Sequence, residues 1–185
     1  MDAPVITHRR RPFLAPIWIP VVLFLIVLAV AADAYRAATT TTVIIVRPGE
    51  NVLGSIADPP LVPEGERRAE QLARMFGGVS GAGRIAVIYT EPARRTQQMA
   101  APLAARLGVQ PTVLADGDAG DAAARILSEA RGRVALVVAS VGTIPELIDS
   151  LSGIKVTAPR EDEYGRIYVV SIPSVGSSGL VRLDY

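Results

Sequence analysis

One long uncharged segment limits what this chain can fold into. Residues 13–32 (FLAPIWIPVVLFLIVLAVAA) carry no charge. As a helix of about 1.5 Å per residue, the segment is about 30 Å long, the thickness of a bilayer's hydrocarbon core. Three arginines at residues 9–11 precede it, and Asp33 follows it. Because positive residues stay on the cytoplasmic side, we expect a cytoplasmic tail (residues 1–12), a single-pass cell-membrane anchor (residues 13–32) and an extracytoplasmic C-terminal domain, periplasmic in a Gram-negative cell.

A cleaved signal peptide is the alternative interpretation of this segment. Ala29–Ala31 and Ala32–Ala34 have the small residues of cleavage sites. The apolar cores of signal peptides are about 7–15 residues long, however, and this one is longer. The length favours an uncleaved anchor. In both cases the C-terminal domain leaves the cytoplasm.

Composition excludes several classes of function. Beyond residue 32 the chain has 16 basic and 17 acidic residues, a balance without the basic footprint of a nucleic-acid-binding protein. The chain has no cysteine, so disulfides, thiolate metal sites and thiol nucleophiles are excluded, and we predict neither a metal nor a cofactor. Its single histidine is His8, in the predicted tail, which excludes imidazole catalysis in the folded domain.

Strands and helices alternate after a short polar linker at residues 33–41. The predicted strands are β-branched, apolar runs at Thr42–Val46, Arg84–Thr90, Thr112–Ala115 and Arg133–Ser140. The predicted helices are Pro63–Phe76, Ala93–Leu107, Asp121–Ala130 and Thr143–Leu151. A hairpin of Tyr168–Ile172 and Leu180–Leu183 closes the chain. This order predicts an α/β fold over residues 42–185, a three-layer αβα sandwich with a mostly parallel sheet.

Ligands bind such sheets at the carboxyl ends of the strands. The loops at that edge are Arg47–Glu50, Glu91–Arg95 and Val141–Thr143. Asp116, Asp118 and Asp121 cluster like calcium ligands, but they lack the spacing of a calcium loop, and we expect them to form a solvated loop and a helix N-cap.

The segments around these loops are similar to four motifs of one family. Val43–Glu50 (VIIVRPGE) resembles a strand followed by Arg-His-Gly-Glu, and Asp58–Gly65 (DPPLVPEG) is similar to the sequence DPPLTPEG. Ile88–Ala100 looks like the segment that carries a second phosphate-binding arginine, and Ala135–Thr143 occupies the place of Gly-His-Ser-Asn-Thr. Over residues 41–185 the chain therefore resembles the histidine phosphatase (phosphoglycerate mutase-like) superfamily.

The resemblance breaks at the catalytic positions. It implies one histidine that accepts the phosphoryl group and a second that stabilises the transfer. The matching positions here are Pro48 and Ser140. Proline has no lone pair with which to attack phosphorus, and the serine has no imidazole to activate it. We therefore predict no catalytic residue, which makes the domain a pseudoenzyme of the cell envelope.

The phosphate-binding positions are retained. The resemblance assigns Arg47 and Arg95 to the pair of arginines that clamp phosphate, and Gly142-Thr143 would add the amino end of a helix. This set predicts an anion pocket. The alternative is that the two arginines form ordinary ion pairs with Glu50 and Glu91.

The sequence is compatible with three functions. The first is an inactive domain that binds a phosphorylated or other anionic ligand through the two arginines. The second is a closed pocket in a domain that only contacts protein partners of the envelope. The third is a residual hydrolase that uses Ser140, Thr143 or an acidic side chain as its nucleophile.

Overall fold

The computed structural model describes residues 18–50, 57–115, 118–160 and 162–185. Two compact units divide the chain, the first ending at Tyr35 and the second covering Arg36–Tyr185. The tail predicted at residues 1–12 and the first five residues of the predicted anchor lie outside the described residues.

The first described element is the long helix α1, Trp18–Thr39. Its segment Trp18–Tyr35 has a mean hydropathy of 2.2, is not buried by other parts of the chain, and is long and apolar enough to cross a membrane. A membrane anchor and a signal sequence both have this character. The helix continues through most of the linker predicted at residues 33–41, because that segment is rich in alanine, the residue with the highest helix propensity.

Strands and helices alternate through the second unit, as the sequence pattern predicts. The strands are β1 (Thr41–Val46), β2 (Ile85–Thr90), β3 (Thr112–Val113), β4 (Val134–Val138), β5 (Arg166–Ile172) and β6 (Gly179–Asp184). The helices are α2 (Pro63–Phe76), α3 (Arg94–Leu107), α4 (Ala119–Glu129) and α5 (Thr143–Ser152). Asp118 accepts a hydrogen bond from the amide of Gly120 at 3.0 Å and so caps α4 as expected.

The six strands form one mixed sheet in the order β3-β2-β4-β1-β5-β6. The first four are parallel, and β5 and β6 are antiparallel to their neighbours. On β1, Ile44 and Val46 pack into the core shared with α2 and α3, whereas Val43 and Ile45 pack into the core shared with α4 and α5. The predicted αβα sandwich is confirmed.

This topology determines where the predicted site loops lie. β1, β2 and β4 run in the same direction, so their carboxyl ends meet at one edge of the sheet, which we call the carboxyl edge. β5 runs the other way and begins at the same edge. The chain just before β5 therefore lies beside the loop that follows β1.

Candidate functional site

Ser140 stands between the two loops that carry the predicted phosphate-binding arginines. The backbone hydrogen bonds of the sheet continue beyond the end of β4. The amide of Ala139 donates to the carbonyl of Val46 at 3.0 Å, and the amide of Glu91 donates to the carbonyl of Val138 at 3.3 Å. Neighbouring strands lie about 4.8 Å apart, so the loops after β1 and β2 are separated by about 10 Å, with the loop after β4 between them.

Arg47 is buried at the end of β1, with 8% of its surface exposed. Its Nη1 donates to the backbone carbonyls of Arg160 at 2.9 Å and Glu163 at 3.2 Å. Its guanidinium lies 4.1 Å from the centre of the Tyr164 ring, the geometry of a cation–π contact. The segment before β5 therefore holds this arginine, a contact that the sequence pattern did not predict.

Glu50 forms its ion pair with Arg68 of α2, and the charge of Arg47 also acts on its carboxylate. Arg68 donates from Nε and Nη2 to the two carboxylate oxygens, at 3.2 and 2.6 Å. Hydrogen bonding from Arg68 lowers the pKa of Glu50, and the same bond raises the pKa of Arg68. Glu50 is thus ionised at neutral pH and neutralised by a forked partner.

Tyr164 and Tyr185 lie beside the ion pair of Glu50 and Arg68. The Arg68 guanidinium lies 5.8 Å from the centre of the Tyr164 ring and 6.0 Å from that of Tyr185. Burial raises the pKa of Tyr185 to about 12. Gly165 has φ +83°, and a Cβ there would lie 2.4 Å from the Tyr185 carbonyl oxygen. The tight turn before β5 therefore needs a glycine.

The loop after β1 is fixed against α2 by two glycines. A Cβ on Gly49 would lie 2.7 Å from Cα of Gly65, and a Cβ on Gly65 would lie 2.4 Å from the carbonyl oxygen of Glu50. The amide of Val62 donates to that same oxygen at 2.9 Å. Backbone packing therefore sets the position of Arg47 and of the buried Pro48 beside it.

A carboxylate already binds the loop that follows β4. Oε1 of Glu91 accepts hydrogen bonds from the amide of Ser140 at 2.9 Å and from its hydroxyl at 3.1 Å. The Ser140 hydroxyl is also 2.9 Å from Oγ1 of Thr143. The amides of Thr143 and Ile144 donate to the carbonyl of Ser140. Glu91 therefore contacts Ser140 and not Arg95, unlike the ion-pair alternative.

A cavity of about 190 Å³ lies beside this cluster. Glu91, Ser140 and Thr143 form its polar wall. The remaining walls are apolar side chains from β4, α4, α5 and the segment after β3. A small hydrogen-bonding molecule fits a space of this size and lining.

Arg95 is the second residue of α3 and is half-buried. Within the described parts of the chain it has neither an ion pair nor a hydrogen bond. The first amide of α3, that of Arg94, donates to both carboxylate oxygens of Asp58, at 2.9 and 3.1 Å. The sequence did not single out Asp58, because this cap acts across 36 residues of chain.

The structure thus divides the predicted site residues into two groups at one edge of the sheet. Ser140 and Thr143 are in contact with each other and with Glu91. On the other side, Arg47 donates hydrogen bonds to the backbone carbonyls of Arg160 and Glu163. Gly142 is exposed, with open space where a side chain would project. Over the described residues, no group of His, Cys, Asp and Glu side chains could hold a metal ion.

Comparisons with known proteins assign the fold to a family. Residues 37–117 match the family model described as "Histidine phosphatase superfamily (branch 1)". No curated protein sequence matches the chain.

Solved structures of phosphatases share the fold. The protein histidine phosphatase SixA, complexed with tungstate, is 21% identical with a TM-score of 0.64, over 77% of this chain and 96% of that one. A mycobacterial glucosyl-3-phosphoglycerate phosphatase is 16% identical with a TM-score of 0.59, over 78% and 99%. A putative alpha-ribazole-5'-P phosphatase from Escherichia coli is 17% identical with a TM-score of 0.57, over 78% and 96%. The predicted resemblance is therefore confirmed: residues 37–117 match the histidine phosphatase superfamily by sequence, and the domain shares the fold of solved phosphatases.

Proposed function

We propose that this protein is a membrane-anchored, catalytically inactive member of the superfamily that binds a phosphorylated or other anionic ligand at the carboxyl edge of its sheet. One observation carries the proposal. Arg47 and Arg95 follow β1 and β2 on either side of Ser140, while Pro48 and Ser140 stand where the resemblance implies histidines.

The inactivity follows from what the side chains at this edge can do. The only imidazole of the chain is on His8, far from the site in sequence. The nearest hydroxyl nucleophile is Ser140, whose bonded partner is a carboxylate. A carboxylate is a weak base toward a serine hydroxyl, and among the described residues no further group orients it as in a catalytic triad.

The binding role rests on charge and position. Arginine guanidiniums bind phosphoryl oxygens through two parallel hydrogen bonds. Long side chains on loops about 10 Å apart can reach one anion lying over Ser140. Bound phosphate would neutralise the positive charge of Arg95, for which the described residues provide no acidic partner.

Thermal unfolding of the full chain in detergent, with inorganic phosphate and vanadate, tests this proposal. A ligand at 100 times its dissociation constant stabilises the folded state by about 2.7 kcal/mol. We expect Arg95→Ala to abolish the shift in melting temperature. Arg94→Ala is the matched control, because this neighbouring side chain is exposed and should not contribute.

The role of Arg47 in binding is tested with a conservative variant. Alanine at this buried position would leave an empty space and destabilise the fold. Arg47→Lys keeps the charge but loses the forked hydrogen bonds and most of the stacking on Tyr164. We expect it to fold and to bind phosphate more weakly. A phosphate shift that survives in both Arg47→Lys and Arg95→Ala, or no shift in the wild type, contradicts the proposal.

A closed, protein-binding domain of the cell envelope is the second candidate, and two contacts favour it. Arg160, Glu163 and Tyr164 contact the Arg47 guanidinium, and the Glu91 carboxylate occupies the hydrogen-bond donors of Ser140. An absent phosphate shift would favour this function. The hydrolase alternative predicts turnover of a generic phosphomonoester by the wild type, lost in Ser140→Ala.

A further inference from the structure

The edge of the sheet opposite the site, which we call the amino edge, is where β1, β2 and β4 begin and β5 ends. The turn between β5 and β6 lies there. In this turn Oγ of Ser174 is 2.7 Å from Oγ1 of Thr39, the last residue of α1. Val175 follows at the tip of the turn, with 61% of its surface exposed.

The chain itself keeps the amino edge close to any membrane that α1 enters. The apolar segment of the helix ends at Tyr35, and Thr39 is four residues further on. Four residues reach at most about 14 Å even when fully extended. Thr39, to which the turn is bonded, is therefore within about 14 Å of chain from the end of the apolar segment.

Exposed cations gather at this same edge. The helices α2 to α5 run back from the carboxyl edge, so their last residues lie at the amino edge together with the first residues of the strands. The exposed cations at these positions are Arg74, Arg84, Arg106, Arg131, Arg133 and Lys155. The acidic side chains in the same last turns are Glu129, which is bonded to Arg125 and Tyr89, and Asp149.

Part of this charge has a role within the fold. Arg84 donates to the last carbonyl of α3 at 2.9 Å, and Arg133 donates to the carbonyl of Glu129 in α4. Cations suit the negative ends of helices. Arg131 and Lys155 are different, because over the described residues neither makes a hydrogen bond or an ion pair. Helix capping does not account for them.

We propose that the amino edge is a membrane-docking surface, on which Arg131 and Lys155 bind the headgroups of anionic phospholipids while Val175 enters the interface. The inference rests on the anchoring role of α1 in the proposed function. Basic side chains near a bilayer are attracted to anionic lipid, and an apolar tip adds contact with the acyl boundary. Docking in this orientation points the carboxyl edge, with Arg47 and Arg95, away from the membrane.

Single-cysteine labelling tests the orientation directly, because the chain has no cysteine of its own. A fluorophore is placed at Val175→Cys or at Glu146→Cys, an exposed position in the first turn of α5 at the opposite edge. The full chain is reconstituted into vesicles of phosphatidylcholine, with or without phosphatidylglycerol, that carry a nitroxide on a fraction of the headgroups. We expect at least twofold stronger quenching at position 175 than at position 146 in the anionic vesicles.

Charge reversal then identifies the groups responsible. The double variant Arg131→Glu/Lys155→Glu should remove most of the dependence on phosphatidylglycerol. Arg67→Glu, an exposed arginine in the first turn of α2 at the carboxyl edge, is the matched control and should leave it unchanged. Equal quenching at the two positions, or quenching that does not depend on anionic lipid, overturns the proposal.

Failure of this inference is distinguishable from failure of the proposed function. A chain that does not float with the vesicles lacks the anchor, and the docking proposal fails with it. A chain that floats but shows equal quenching retains the anchor and loses only the docking surface. The phosphate shift at Arg95 is measured separately in detergent.

Discussion

At the scale of single residues, the loop after β1 and the first turn of α2 approach each other closely at Gly65. Gly65→Ala would place a Cβ 2.4 Å from the carbonyl oxygen of Glu50. This clash is with backbone atoms, so a change of side-chain rotamer does not relieve it. We expect a loss of about 1–3 kcal/mol in unfolding free energy, despite the better helix propensity of alanine. Chemical denaturation followed by circular dichroism measures it.

A glycine in the first turn of another helix is the control for this prediction. Gly120 in α4 has room for a Cβ, whose nearest contacts with Asp118 would be ordinary at 3.6 Å. Gly120→Ala should therefore stabilise the protein, by up to about 1 kcal/mol. Equal effects of the two substitutions would show that the close approach at Gly65 is unimportant.

The ion pair of Glu50 with Arg68 predicts a pH dependence. Because the folded protein lowers the pKa of Glu50 below 4.5, its contribution to stability is present above pH 4.5 and is lost as the pH falls through the lowered pKa. Glu50→Gln should cost about 1–3 kcal/mol at pH 7 and progressively less in acid. Urea denaturation across this pH range measures the difference.

The control for this effect is an exposed ion pair in the same helix. Glu64 pairs with Arg67 one turn away, and both side chains are more than half exposed. Such pairs contribute little in water, so Glu64→Gln should give nearly the same stability as the wild type at every pH. A Glu50→Gln variant that follows this flat profile contradicts the prediction.

Residues of the site were predictable where the sequence keeps them beside a motif, and not where partners come from distant segments. Arg47, Pro48, Arg95 and Ser140 follow strands that β-branched composition identifies. Tyr164, which stacks on Arg47, is more than 100 residues away along the chain. Contacts of this kind depend on the antiparallel return of β5, which no local pattern contains.

At the scale of elements, α3 shows how a helix end can depend on a remote side chain. Its N-cap position is Ala93, which has no side-chain acceptor, and Asp58 supplies one to the Arg94 amide. Asp58→Ala should destabilise the protein by about 1 kcal/mol. Asp58→Asn retains one acceptor oxygen and should cost less, so an equal loss in both variants contradicts the capping role. Thermal denaturation in detergent measures both.

The positions of most helices and strands were predictable from the composition of their segments. Where each one ends depends on strand pairing and helix propensity. Apolar β-branched runs gave the strands, since only strands buried on both faces need them. The ends of β5 depend on pairing with β1 and β6, which extends the strand to Arg166, two residues before the predicted start. The end of α1 depends on helix propensity, which outweighed the polar character of residues 33–39.

At the scale of the whole molecule, the charges beside the apolar segment predict the orientation across the membrane. The three arginines before the apolar segment favour a cytoplasmic N-terminus and an extracytoplasmic domain. Single cysteines at Thr7 and at Glu146 report on the two sides. In spheroplasts, a membrane-impermeant maleimide should label Glu146→Cys at once, and Thr7→Cys only after lysis.

The same variants separate an anchor from a cleaved signal peptide. An uncleaved chain keeps the Thr7→Cys label after lysis, migrates near its full 19.5 kDa and stays in the membrane fraction after an alkaline wash. Cleavage after Ala31 or Ala34 would shorten the chain by about 3.5–3.8 kDa and release the domain in soluble form. Release would remove the physical basis of the docking surface, because the short connection to the anchor would be lost. Labelling of Glu146→Cys only after lysis would instead reverse the orientation and leave the anchor intact.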